Sequence, residues 1–143
     1  SFNIIHRDIK PANIMMIDDS GESKLIDFGM ASPPTIDPII MSEGKGTPFY
    51  AAPEILFYLP YDKSVDMWSV GITLWAMFAN PHKDITSMDN LLKNIFADRR
   101  LGGARPFEGD QKLSDFIDKL TAYGAKGRMT AGEALSHNWL MHN

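Results

Sequence analysis

Asp8, Lys10 and Asn13 stand at offsets of zero, two and five inside the stretch His6-Arg7-Asp8-Ile9-Lys10-Pro11-Ala12-Asn13. Together they offer a carboxylate, an ammonium and a carboxamide. A carboxylate can take or orient a hydroxyl proton, an ammonium can steady an anionic oxygen, and an amide oxygen suits a hard cation. Pro11 fixes its own φ and donates no backbone hydrogen bond, so the stretch reads as a shaped loop rather than a helix or an inner strand. The combination fits binding and deprotonating a group beside a metal-bound phosphate. A bare His-Arg-Asp tripeptide would read as a polar turn; eight such residues in a row are far more specific.

The elements that must hold this loop follow from pattern. Ile14-Met15-Met16-Ile17 and Lys24-Leu25-Ile26 are short apolar runs separated by Asp18-Asp19-Ser20-Gly21, which is turn chemistry, and this predicts a β-hairpin. Asp27-Phe28-Gly29 follows directly on the second strand. Residues 30–50 lack periodicity and carry five prolines and glycines, Pro33, Pro34, Pro38, Gly44 and Gly46, before Pro48. A loop that long inside a domain is usually functional or disordered, and Ser32, Thr35 and Ser42 suit regulation.

Ala52-Pro53-Glu54 opens a short helix running to Phe57 or Tyr58, since proline sits well in a first turn. The strongest helical segment is Lys63 to Ala79: Val65, Met67, Trp68, Val70, Ile72, Leu74, Trp75, Met77 and Phe78 cover nearly every face, which predicts burial in the middle of the fold. Asn80-Pro81 ends it. Further helices are expected over about 87–97, 112–122 and 130–136, the last running into His137-Asn138-Trp139, with a loop at 101–106. The fold class is therefore α+β and mainly helical: one short hairpin followed by a helical body.

Composition sets the outer bounds. At 143 residues, 44% apolar and 22% charged, the chain is long enough for a real core and ordinary for a globular protein. A net charge of −4 and a pI near 5.5 argue against nucleic acid as a partner. The absence of cysteine excludes disulfides and thiolate metal sites, so nothing points to secretion and an intracellular, cytoplasmic location is expected. The longest apolar run, Val65 to Ala79, carries Asp66 and Ser69 and is too short to cross a membrane. His82, His137 and His142 have no metal-ligand spacing. A start at Ser1 predicts a piece of a longer protein.

His6-Arg7-Asp8 with Asn13, then Asp27-Phe28-Gly29, then Ala52-Pro53-Glu54 occur in the order that marks eukaryotic-type protein kinases, and the chain resembles the C-terminal lobe of that family from Ile4 to about Leu140. Asp66-Met67-Trp68-Ser69-Val70-Gly71 resembles the start of the family's central helix. Arg128 to Trp139 resembles its closing helix, and His137-Asn138-Trp139 is most similar to the calcium/calmodulin-dependent type. The resemblance implies residues 1–143 as the C-terminal lobe of a kinase domain, with the N-lobe, hinge and most of the preceding helix absent, and 27–54 as the activation segment.

It also implies roles. Asp8 matches the catalytic Asp, Lys10 the cation on the transferring phosphoryl group and a mark of serine/threonine kinases, and Thr47 the residue that bonds both. Asn13 and Asp27 match the ligands of Mg2+, and with Lys10 they would hold ATP. His6, Phe28 and Gly29 support the site, Gly29 by giving freedom for a sharp turn. Glu54 and Arg128 match a buried ion pair, and Asp66 an acceptor for backbone amides of the opening loop. Arg7 matches the clamp for a phosphorylated activation loop. Glu43 stands four residues before Thr47, where such kinases carry the phosphosite, and suggests a built-in weaker anion. Thr35 and Ser42 are alternative phosphosites.

Some positions depart from the family. Ser32 replaces a second basic residue of the phosphate pocket, Ala12 a Glu that helps hold substrate arginines, and Ala125-Lys126-Gly127 an acidic, proline-containing turn. No Gly-rich phosphate loop or ATP-anchoring strand Lys lies within these residues. The resemblance thus implies a serine/threonine kinase whose partners are protein substrates and its own N-lobe, with this stretch alone inactive and apolar surface on the Lys63–Ala79 helix left bare. The alternatives are a pseudokinase or scaffold piece, from which a catalytic or metal-binding residue is commonly lost, and a small-molecule kinase of related fold, disfavoured by Lys10 and the Gly46–Glu54 segment.

Overall fold

A computed structural model describes residues 4–19, 21–33, 47–78 and 110–141. The expected hairpin forms: β1 (Ile14–Met16) pairs antiparallel with β2 (Ser23–Leu25), with Ile14 opposite Leu25 and Met16 opposite Ser23. Gly21 in the connection takes φ 83°, a conformation that costs glycine little. The hairpin's apolar side chains are open to solvent, Ile14, Met15, Met16 and Ile17 among them.

The helical body surrounds a central helix. Helix α1 (Pro53–Leu56) starts on its proline, and α2 (Ser64–Phe78) is the predicted central helix. Helix α3 (Gln111–Leu120) is capped by the Asp110 side chain on Leu113 N–H. Helix α4 (Ala131–Leu135) begins with a capping box, in which Thr130 Oγ1 accepts from Glu133 N and the Glu133 carboxylate accepts from Thr130 N. A short α5 (Asn138–Met141) follows as a separate helix. The helix expected at 87–97, the loop at 101–106 and the stop at Asn80-Pro81 lie outside the described residues.

Three apolar clusters share α2. Ile5, Ala52, Ile55, Val65, Trp68 and Ile72 form the first, beneath the opening loop. Trp75 packs with Leu113 and Ile117, and Phe116, Leu120, Met129 and Ala134 form the third. Gly71 lets α2 and α3 touch: a Cβ there would lie 2.5 Å from Thr121 Cγ2 and 2.9 Å from Leu120 Cβ. The bare apolar surface expected on the central helix lies at its end: Met77 and Phe78 are 65% and 51% exposed, and the Phe78 ring meets Trp139 edge-on at 6.4 Å.

Candidate active site

The opening loop is hung from α2. Asp66 accepts the backbone N–H of His6 at 2.8 Å through Oδ2 and that of Arg7 at 2.9 Å through Oδ1. Burial pushes its carboxyl above the usual range, and the two amide donors pull it part of the way back. Bound this way, Arg7 takes a left-handed backbone, φ 68°, rare for a side chain of its size. His6 is buried; its Nδ1 accepts from Asp8 N at 3.3 Å, which leaves Nε2–H to donate to Ile26 O at 3.1 Å. The ring meets Phe28 edge-on at 4.8 Å, while the outer side of Phe28 is exposed.

Asp8, Lys10 and Asn13 converge. Asp8 is 9% exposed, and its Oδ2 accepts from Lys10 Nζ at 2.9 Å and from Asn13 Nδ2 at 2.9 Å. Asn13 Nδ2 also donates to Asp8 O at 2.7 Å. Asp8 Oδ1 accepts no bond from any described residue, and Asn13 Oδ1 is the amide atom not committed to Asp8. Pro11–Asn13 form one 3-10 turn with the proline at its start, so the shaped loop contains a helical turn after all. Lys10 Nζ donates in addition to Thr47 Oγ1 at 3.1 Å, and Thr47 reaches Asp8 through this shared ammonium.

Asp27 enters from β2. Ile26 N–H donates to Asn13 O at 2.9 Å, which ties the hairpin's second edge to the loop. Asp27 itself takes φ 61°, and among the described residues its exposed carboxylate accepts only from Gly29 N at 3.2 Å. The left-handed residue of this turn is Asp27, a type that tolerates it, and a Cβ on Gly29 would press on Asp27 Oδ1 at 3.1 Å. The Asp27 carboxylate and the Asn13 amide oxygen are hard donors of the kind Mg2+ takes when phosphates and water complete its shell. No group of three His, Asp or Glu side chains among the described residues forms a cage of its own.

Behind the site, Glu54 and Arg128 meet in two bonds of 2.6 and 3.2 Å, with the Arg128 side chain wholly buried. Thr35, Ser42 and Glu43 lie outside the described residues. Two contacts escaped sequence reasoning. The Tyr61 hydroxyl accepts from Arg7 Nη1 at 3.3 Å, and His137, to which no role was given, bonds Asp115 Oδ2 at 2.9 Å and leans on Phe116. Neither has a local signal, since the partners are 54 and 22 residues apart.

Residues 1–140 match the protein kinase domain. This chain belongs to the protein kinase family. Among curated kinases it is 35% identical to human serine/threonine-protein kinase H1 and 36% identical to human serine/threonine-protein kinase H2, each match covering 99% of the chain and 34% and 38% of the relative. It is 34% identical to calcium/calmodulin-dependent protein kinase type 1 of Caenorhabditis elegans over 98% of the chain and 41% of that kinase. The chain spans about a third to two-fifths of the length of these kinases. Among the described residues no helix is long and apolar enough to cross a membrane.

Proposed function

We propose that the chain is the catalytic half of a serine/threonine protein kinase, which moves the γ-phosphoryl group of ATP to Ser and Thr hydroxyls of protein substrates. The observation that carries this is the Asp8 carboxylate, anchored through Oδ2 by Lys10 and Asn13 with Oδ1 unbonded among the described residues. A substrate hydroxyl bonding to Oδ1 would be oriented for attack and would pass its proton there as its oxygen joins phosphorus and the β–γ bridging oxygen leaves with ADP. Lys10, already shared by Asp8 and Thr47, would hold negative oxygens of the moving group. Asn13 and Asp27 would hold Mg2+, which supplies charge neutralisation across the phosphates. The hydroxyl class rests on Lys10 and on the similarity to serine/threonine-protein kinases H1 and H2.

On its own this 143-residue stretch would transfer phosphate negligibly, because no Gly-rich loop or strand Lys lies within it and the hairpin's apolar side chains stand bare. A pseudokinase or scaffold role is the weaker reading, since Asp8, Lys10, Asn13 and Asp27 are all present. The test is phosphotransfer by the full-length protein on Ser and Tyr peptides, beside Asp8→Asn. Ser-peptide labelling that falls by about 10²–10⁴-fold in the variant is expected, as for loss of a general base. Wild-type protein without activity, or an Asp8→Asn variant with full activity, would overturn the reading.

A further inference from the structure

Arg7 is held by neutral groups. Its Nε donates to Met30 O, and its Nη1 donates to Tyr61 Oη at 3.3 Å. Among the described residues no carboxylate lies within ion-pair distance of this guanidinium. Its backbone is fixed from the other side by Asp66, so the side chain departs from a pinned base. Tyr61 is equally fixed, because its ring packs against the cluster of Ile5, Ala52, Ile55, Val65 and Trp68. Met30 closes the turn Phe28–Met30, whose first cap is Asp27 and which Ala31 N–H ties back to Phe28 O. A line of contacts therefore runs from the core through Tyr61 Oη and Arg7 to the turn that carries Asp27.

We propose that Tyr61 is a positioning residue for the Asp27–Gly29 turn, acting through Arg7. Its hydroxyl supplies an acceptor that fixes the far end of the guanidinium, and this fixes the direction of Nε toward Met30 O. Among the described residues Asp27 has little else to hold it: it is exposed, left-handed, and its side chain bonds only within its own turn. A residue on the approach to α2 thus governs where a carboxylate on the hairpin side comes to rest. The catalytic consequence rests on the kinase reading above; the structural coupling does not.

The variant is Tyr61→Phe in the full-length protein, which removes the hydroxyl and keeps the packed ring. Amide hydrogen exchange at Met30, Ala31 and Ser32 should quicken severalfold, with the melting temperature unchanged. In the phosphotransfer assay kcat should fall about threefold to tenfold, as for one modest hydrogen bond. The KM for the peptide should stay constant, and the Mg2+ concentration for half-maximal rate should rise. Unchanged exchange over residues 30–32 would overturn the proposal whatever the activity. So would faster exchange throughout the molecule with a lower melting temperature, which is the mark of lost packing. In an active enzyme, unaltered kcat and Mg2+ dependence would overturn it as well. If the wild-type protein itself transfers no phosphate, only the kinase reading fails, and the exchange comparison still decides the coupling.

Discussion

Arg128 grips the Glu54 carboxylate with both terminal nitrogens while its guanidinium carbon lies 5.2 Å from the centre of the Trp68 ring. The same side chain donates to Ala122 O and Ser64 O, so one residue joins α1, the start of α2 and the turn after α3. Every N–H of a buried guanidinium left without an acceptor carries a desolvation cost, and here the group is almost fully served.

Glu54→Ala should therefore destabilise the fold by about 3–5 kcal/mol, because a buried cation loses its counter-charge. Urea denaturation measures it. Adding Arg128→Met to that variant should recover part of the loss, since the stranded charge goes too. A pair that contributed little would give a small effect in both variants.

Gly71→Ala should destabilise by up to about 2 kcal/mol. The new methyl would meet Thr121 and Leu120 at distances no carbon pair tolerates, and overpacking of this kind costs about 1–3 kcal/mol against a helix-propensity gain of about 1. Thr121→Ser removes the nearer methyl group and keeps a hydroxyl for Ile117 O, so the double variant should regain part of the stability in thermal melts.

Asp66→Asn replaces two acceptors by one acceptor and one donor, and the new NH2 faces a backbone N–H. A loss of about 1–3 kcal/mol follows from the unpaired amide. Phosphotransfer by the full-length protein should fall as well, because the His6–Asp8 backbone is no longer fixed. Wild-type activity with reduced stability would show that the loop keeps its shape without the helix.

Asp115 gives the pH dependence. Its carboxyl is held below the usual range chiefly by its bond to the Lys119 ammonium, with help from His137 and against the opposing effect of burial. A carboxyl depressed in the folded state adds stability that is full above its unfolded value of 3.8 and is lost as pH falls through the folded value. The group is half exposed, so the contribution is under about 1 kcal/mol. Denaturation at about pH 5 and about pH 3 should show wild type and Asp115→Asn differing at the first and converging at the second.

What the sequence told of this fold was local or periodic. Residues 6–13 and 27–29 announce their chemistry because each motif lies on one short loop, and the 63–79 period named the central helix. That apolar surface on this helix would stay bare was legible, but its place at Met77 and Phe78 was not, since a helix apolar on nearly every face does not say where its neighbours stop. The sharp turn was ascribed to the freedom of Gly29, and the left-handed backbone falls on Asp27, whose carboxylate bonds two residues ahead and can hold that conformation itself. Tyr61 on Arg7 and His137 on Asp115 join side chains from distant segments, which only tertiary packing brings together. The hypothesis for Glu43 concerns residues outside those described.

The bonds from Asp66 to the amides of His6 and Arg7 also set a timescale. These amides are fastened to a helix whose Trp68 and Ile72 are sealed in the core, so their protons should exchange slowly. The hairpin a few residues onward has two strands and an exposed surface, and it can fray alone. A steep step in opening free energy thus falls between Asp8 and Asp27, with the proposed base on the slow side and the proposed metal ligand on the fast one.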